Sequence, residues 1–224
     1  MRERKKVWMD KILKTLKKHF GCVGFELEDP FKLLIATILS QHTSDKNSIK
    51  AFNSLEGKVG VKPEVLADAK VDVIGEAIRS AGLWRVKAKR IKEVSKTVLK
   101  EFSGDLSKVF SQPLEEARNS LLKLPGVGKK TADVILVFSG GMPVFPVDTH
   151  LFTLAKRLKI SDAKDYESVR EAYEKLIPPA IRGEAHLLLL NLGKKYCVAG
   201  KPKCWGCPIK RFCPYPEKTS KNSF

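Results

Sequence analysis

Apolar residues recur along this chain at intervals of three and four, and almost nowhere at intervals of two. Trp8, Ile12, Leu16 and Phe20 fall four apart and predict a first helix with a basic outer face. Asp29-Pro30 opens a second helix, with proline at the first helical position, and Phe31, Leu33, Leu34, Ile38 and Leu39 follow. Ala88, Ile91, Val94 and Val98 predict a helix from about Trp84 to Glu101, and Leu114, Ala117 and Leu121 another, begun by Pro113. Ala132, Ile135, Leu136 and Val137 follow a glycine-rich turn, and Leu151, Leu154, Ala155 and Leu158 follow Asp148. Val169, Ala172 and Leu176 predict one more helix, ended by Pro178-Pro179, and Glu184 to Tyr196 the last long one. The sole strand-like stretch, Val144-Phe145-Pro146-Val147, is short and broken by proline, so the pattern predicts an all-α protein. Ser139-Gly140-Gly141-Met142-Pro143 interrupts the helical pattern and is the best domain junction. No tandem repeat is present, and the tail from Lys218 to Phe224 is expected to be disordered.

The chain of 224 residues is long enough for one large core or two small ones. No apolar run approaches the ~20 residues that span a bilayer, so no membrane partner is expected. The basic start, Met1 to Lys6, leads into Trp8, Asp10 and Lys11 and not into an apolar signal core, which points to a cytosolic or nucleoid-associated protein of a prokaryote. Lys and Arg number 42 against 25 Asp and Glu, a net charge of +17. That excess asks for a polyanion, with nucleic acid the first candidate. A lysine-rich surface of a heat-adapted protein is the competing reading, but such surfaces balance Lys with Glu and this chain does not. Scarce Gln beside many Lys still hints at a hot habitat.

Three motifs carry chemistry. The turn Leu124-Pro125-Gly126-Val127-Gly128-Lys129-Lys130 sits between two predicted helices, 114–123 and 129–138. Gly126 and Gly128 permit positive φ and close approach to a ligand, and the next helix aims its first amides outward, as a phosphate requires. This is a helix-hairpin-helix pattern, which grips the DNA backbone without reading sequence. Lys130 lies in the first turn of that helix, where the helix end disfavours a second cation and a closed site would add desolvation. Both effects favour the free amine that nucleophilic attack needs. From local sequence alone, however, phosphate contact is the favoured reading for both Lys129 and Lys130. Asp148, before Thr149 and His150, stands where an N-cap belongs, and capping alone accounts for it; His150 could be a packing residue.

Cys197, Cys204, Cys207 and Cys213 form a C-x6-C-x2-C-x5-C run, far from the fifth cysteine, Cys22. Zinc and an iron–sulfur cluster both accept four thiolates. Zinc favours paired C-x2-C knuckles, and the single C-x2-C here suits a cubane cluster wrapped by one loop. A cytosolic setting disfavours disulfides. Lys201, Lys203, Lys210 and Arg211 crowd the loop, so the metal centre would organise phosphate contacts.

LPGVGKKTA, then VDTH with its Asp eighteen residues beyond Lys130, then the cysteine run closely resemble the endonuclease III family of DNA repair glycosylases, within the helix-hairpin-helix glycosylase superfamily. The resemblance covers about Trp8 to Cys213 and implies two helical lobes with a DNA-binding cleft between them. One lobe would be a six-helix body over residues 23–141 carrying the hairpin. The other would join residues 1–22 to 142–213 and hold a [4Fe–4S] cluster on the four cysteines, with 214–224 as a tail. Carried over, Lys130 attacks C1′ of an oxidised pyrimidine nucleotide such as thymine glycol, displaces the base and forms a Schiff base, and β-elimination cuts the strand. Asp148 would stabilise the charge developing on the sugar or help deprotonate the lysine. Gly126, Val127, Gly128, Lys129, Thr149, His150, Lys201 and Lys203 would contact the DNA.

The family also fills the gap left by the flipped base. Leu83, after Gly82, matches the inserted leucine. The inserted glutamine sits in an S-x-Q-x-x-D segment, whereas this chain reads Ser40-Gln41-His42-Thr43-Ser44-Asp45, which leaves Gln41 and His42 both as candidates. The implied partner is double-stranded DNA with damaged bases or abasic sites, bound by a monomer. A branch that removes adenine opposite oxidised guanine carries a small hydroxyl residue in place of Lys130, and a G·T mismatch branch usually lacks the lysine. A non-catalytic DNA-binding scaffold would not need both Lys130 and Asp148. A ferredoxin-like carrier fits poorly with a charge of +17.

Overall fold

The computed structural model describes residues 2–22, 24 and 29–220. It is all-α: among the described residues there is no strand. The chain divides into two compact units, Met1–Phe25 with Pro143–Phe224, and Glu26–Met142. The expected boundary at residue 23 and the last four residues of the expected disordered tail lie outside the described residues.

The Glu26–Met142 unit is built from α2 (Pro30–Ser40), α3 (Asp45–Lys58), α4 (Pro63–Asp68), α5 (Val71–Ala77), α6 (Trp84–Phe102), α7 (Leu114–Leu122) and α8 (Lys129–Phe138). Helix α2 starts at Asp29, whose carboxylate accepts from the Phe31 and Lys32 amides, with Pro30 where no amide is needed. It is apolar nearly all round and buried along its length, with α3, α6 and α8 packed against it. Helix α6 is the long amphipathic support: Ala88, Ile91, Val94 and Val98 are fully buried, and α4 and α5 lie against it.

The other unit takes its first helix, α1 (Arg2–Phe20), from the start of the chain and α9 (Thr149–Arg157), α10 (Tyr166–Glu174) and α11 (Arg182–Lys195) from beyond residue 142. Met9, Ile12, Leu13 and Leu16 of α1 share one core with Leu151, Leu154, Val169, Tyr173, Leu188, Leu189 and Leu192. The Trp8 indole N–H donates to the Phe212 carbonyl at 2.9 Å. Helix α10 stops at Glu174, short of Pro178, because the chain tightens there and the Leu176 amide bonds to Tyr173 O at 2.9 Å. The tail is ordered further than expected. The Thr219 hydroxyl accepts from the Cys204 amide at 3.1 Å and donates to Pro202 O, so residues up to 219 are tied to the cysteine loop.

Candidate active site and cysteine loop

The hairpin is assembled entirely within the Glu26–Met142 unit. After α7, the Leu124 amide bonds to Leu121 O and the Val127 amide to Leu124 O, closing two tight turns around buried Leu124 and Val127. Gly126 has φ +76, and a Cβ there would lie 2.0 Å from Cδ of Arg90. Gly128 is extended, caps α8 and brings no side chain to its first amides. Lys129 is exposed and Lys130 half-buried in the first turn. Beneath the turn, Arg118 of α7 and Asp133 of α8 form a buried ion pair, Nε to Oδ1 2.7 Å, that ties the two helices together. Replacing Gly126 by Ala is expected to cost about 1–2 kcal/mol through the left-handed backbone alone, and to expel the Arg90 side chain. A lowered urea midpoint together with weakened duplex binding would show both effects.

Arg90 also reaches the turn after α2. Its Nη1 donates to Gln41 Oε1 at 3.1 Å, so Gln41 is half-buried and held, while His42 beside it is exposed with φ +51. Leu83, in the turn before α6, is not a core leucine: it is 62% exposed, with φ +47.

In the other unit, side chains of α10 and α11 fix the approach to Asp148. The Phe145 amide donates to Glu174 Oε1 at 2.9 Å and the Val147 amide to the Tyr166 hydroxyl at 3.2 Å. His186, 2% exposed, holds Pro146 O through Nδ1 at 3.0 Å. A carbonyl can only accept, so that nitrogen carries the proton. Asp148 caps α9, its Oδ1 accepting from the Leu151 amide at 2.9 Å, as the capping reading anticipated. The carboxylate itself remains half-buried. Thr149 is exposed, and His150 packs its Cβ against Gly193 of α11, where a methyl group would sit 2.7 Å away. Burial, and then the charge of Asp148, hold the Tyr173 phenol well above its ordinary pKa, so it stays a donor to Leu151 O at 2.8 Å.

All four C-terminal cysteines line one cavity with Leu154, Leu158, Leu192, Tyr196 and Ile209, in a space of ≈ 390 Å³ that includes its open mouth. They are free thiols, and no three His, Cys, Asp or Glu side chains among the described residues gather as for a single metal ion. Burial pushes the Cys207 thiol up to about 11 and raises Cys197 against the pull of Arg157. Arg157 spans the loop: Nη1 reaches Cys197 O at 3.0 Å, Cys197 Sγ at 3.2 Å and Val198 O at 2.8 Å, and Nη2 reaches Ala199 O at 2.5 Å. Its guanidinium also lies over Tyr215. Lys201 and Lys203 are exposed on the same loop.

Within single units, then, the structure gathers Gln41, His42, Leu83 and the hairpin glycines around α6, and the cysteines around α9 and α11. The pattern reading overlooked Lys87, Arg90 and Arg157. Lys87 could have been noticed, because it falls four residues before Ile91 on the apolar stripe of α6.

Residues 35–179 match the HhH-GPD superfamily of base excision DNA repair proteins. The chain belongs to that superfamily. Endonuclease III of Thermotoga maritima is 35% identical over 193 residues, 86% of each chain. Endonuclease III of Escherichia coli K12 is 34% identical over 189 residues, 84% of this chain and 85% of that one. A solved endonuclease III trapped as a covalent intermediate with DNA superposes with a TM-score of 0.80 at 29% identity, covering 96% of both chains. A thermostable thymine-DNA glycosylase shares the fold at the same TM-score, 0.80, with 24% identity. As an HhH-GPD protein, this chain is a DNA glycosylase of base excision repair. Among its described residues no helix is long and apolar enough to cross a membrane.

Proposed function

We propose that this glycosylase is bifunctional: it removes oxidised pyrimidines of the thymine glycol type from duplex DNA and then cuts the strand as an abasic-site lyase, working as a monomer. The observation that carries this reading is Lys130, an amine in the first turn of α8 directly after the glycine turn. Its Nζ attacks C1′ of the flipped nucleotide, and the C1′–N bond breaks as the base leaves and takes up a proton. Ring opening gives the iminium between Nζ and C1′. Loss of a C2′ proton then expels the 3′ phosphate, and water releases the lysine. Asp148 serves the same reaction by opposing the positive charge on the sugar. Its one bonded oxygen is occupied in capping α9, which fixes the carboxylate's orientation. Gly126, Val127, Gly128 and Lys129 hold the DNA backbone at the hairpin, and Thr149, His150, Lys201 and Lys203 add contacts from the other unit. The net charge of +17 supports such a partner.

The cysteine cavity fits a [4Fe–4S] cluster: four sulfurs, apolar walls and an arginine bonded to one sulfur. Bound there, the cluster would anchor the loop that carries Lys201 and Lys203. Its iron would displace the thiol protons that burial otherwise retains. Arg157→Leu is expected to lower iron retention about 10–100-fold, read as faster loss of visible absorbance under a chelator.

Borohydride trapping on a thymine glycol duplex tests the reading, with undamaged and G·T duplexes alongside. A covalent adduct on the damaged duplex supports it. Base release from G·T without an adduct would move the chain to a monofunctional mismatch activity. Tight binding without reaction would leave a DNA-binding scaffold.

A further inference from the structure

Two turns of the Glu26–Met142 unit each hold an exposed non-glycine residue in the left-handed region, His42 at φ 51 and Leu83 at φ 47. An L residue reaches that region at a cost of roughly 1–2 kcal/mol, and keeps it only where the surroundings over-determine the backbone. Here one ammonium bonds to backbone at both turns. Lys87 of α6 is 3% exposed, and its Nζ donates to Leu39 O at 2.8 Å, Gln41 O at 2.6 Å and Ala81 O at 2.7 Å. The first two carbonyls belong to the end of α2, where helix geometry leaves acceptors without partners, and the third lies two residues before Leu83. Burial, and then the nearby Arg90 charge, push the Lys87 pKa down to about 8. Three carbonyls nevertheless match the three N–H bonds of the charged form, and a neutral amine has only two.

The turns also lie close together. A Cβ on Gly82 would lie 3.6 Å from His42 O, and beside them the Ser80 hydroxyl donates to Asn47 O of α3 at 3.2 Å. Of the two adjacent side chains after α2, Gln41 is committed to Arg90, whose methylenes rest against Gly126. The His42 ring has no such tether and stands in solvent, as does Leu83 at 62% exposure.

We infer that Lys87 is a positioning residue that locks these two turns into one rigid two-pronged wedge, with His42 and Leu83 as the prongs that enter the base stack and Gln41 held back as a strut. The inference rests on the DNA glycosylase reading. It also names a specificity. Leucine fills space, and imidazole stacks on any base through its ring face, so the wedge tolerates any partner base in place of reading it through a paired amide.

The test uses the full chain and two DNAs, a duplex with a natural abasic site and the same strand alone, which has no gap to fill. A third duplex places 2-aminopurine opposite a reduced, uncleavable abasic site and reports unstacking by its emission. Lys87→Met is expected to lower the duplex-to-single-strand ratio of cutting rates roughly ten- to a hundredfold, the size of a lost charged hydrogen-bond set, and His42→Ala by about as much through one lost base stack. Both are also expected to lose most of the emission rise at saturating protein, and Gln41→Ala is expected to lose less in both readouts. The clamp is overturned if Lys87→Met keeps the full emission rise, or loses duplex and single-strand cutting in equal measure, as general damage to the fold would do. The prong assignment is overturned if Gln41→Ala matches or exceeds His42→Ala. His42 is exposed and Gln41 half-buried, and neither belongs to the core, so their order decides the assignment even if Lys87→Met fails to fold. Should the wild-type chain cut neither DNA, the lyase reading itself falls, and the wedge falls with it.

Discussion

Lys130→Gln is expected to reduce strand cutting at an abasic site by at least about a thousandfold, and to abolish the borohydride adduct, while binding of the abasic duplex stays within a few-fold. Glutamine is one atom shorter and still polar but has no basic amine, so no iminium can form. On the proposed reading, binding would draw on several phosphate contacts, of which Lys130 would supply at most one, and a chain of net charge +17 loses little by one charge. Gel-based single-turnover kinetics and a fluorescence titration separate the two quantities. Wild-type cutting by Lys130→Gln would place the nucleophile elsewhere. Equal losses in cutting and binding would make the lysine a phosphate contact, the reading that local sequence alone favoured.

The largest effect on stability is expected at Arg118→Met. Arg118 is 7% and Asp133 0% exposed at the side chain, and their Nε–Oδ1 distance is 2.7 Å. Removing the guanidinium leaves a carboxylate buried without it, at a cost of about 3–5 kcal/mol. The double variant Arg118→Met/Asp133→Leu should recover most of this loss, because the desolvation of both charges is then avoided. Urea unfolding of the four proteins in the cycle measures the coupling. If the double variant were no more stable than Arg118→Met, the ion pair would not be the source of the loss. The pair spans α7 and α8, so hairpin geometry should suffer before the rest of the unit.

The all-α class was legible because α1, α2, α6, α7, α8, α9 and α11 bury an apolar stripe that repeats every three or four residues. Helices α3, α4 and α5 left no such trace. Helix α3 buries Ser48, Ala51 and Leu55 and exposes Ile49, so its polar and apolar positions are partly reversed. Helices α4 and α5 span 6 and 7 residues, too short for a period to show, and neither has a side-chain cap. Motif order made the hairpin and the cysteine loop readable, since glycine and cysteine spacing are local properties of the chain. The place of Lys87 on the apolar stripe of α6 was readable, but its hold on the two turns was not. Its acceptors are carbonyls 48, 46 and 6 residues away, and a backbone acceptor has no sequence signature.

The shared core of α1 with α9, α10 and α11 sets an order of events during synthesis. The Glu26–Met142 unit is contiguous and can fold as soon as it leaves the ribosome, since domains generally fold as units from the N-terminal side. Helix α1 emerges earlier still, yet the helix that Met9, Ile12 and Leu16 mainly pack against, α11, is the last of that core to be made. The bond from Trp8 to Phe212 closes later again. Until then, the nascent chain carries an exposed apolar stripe on α1. A ribosome stalled between residues 142 and 182 should present a folded middle, an undocked first helix and a target for a chaperone that binds hydrophobic segments.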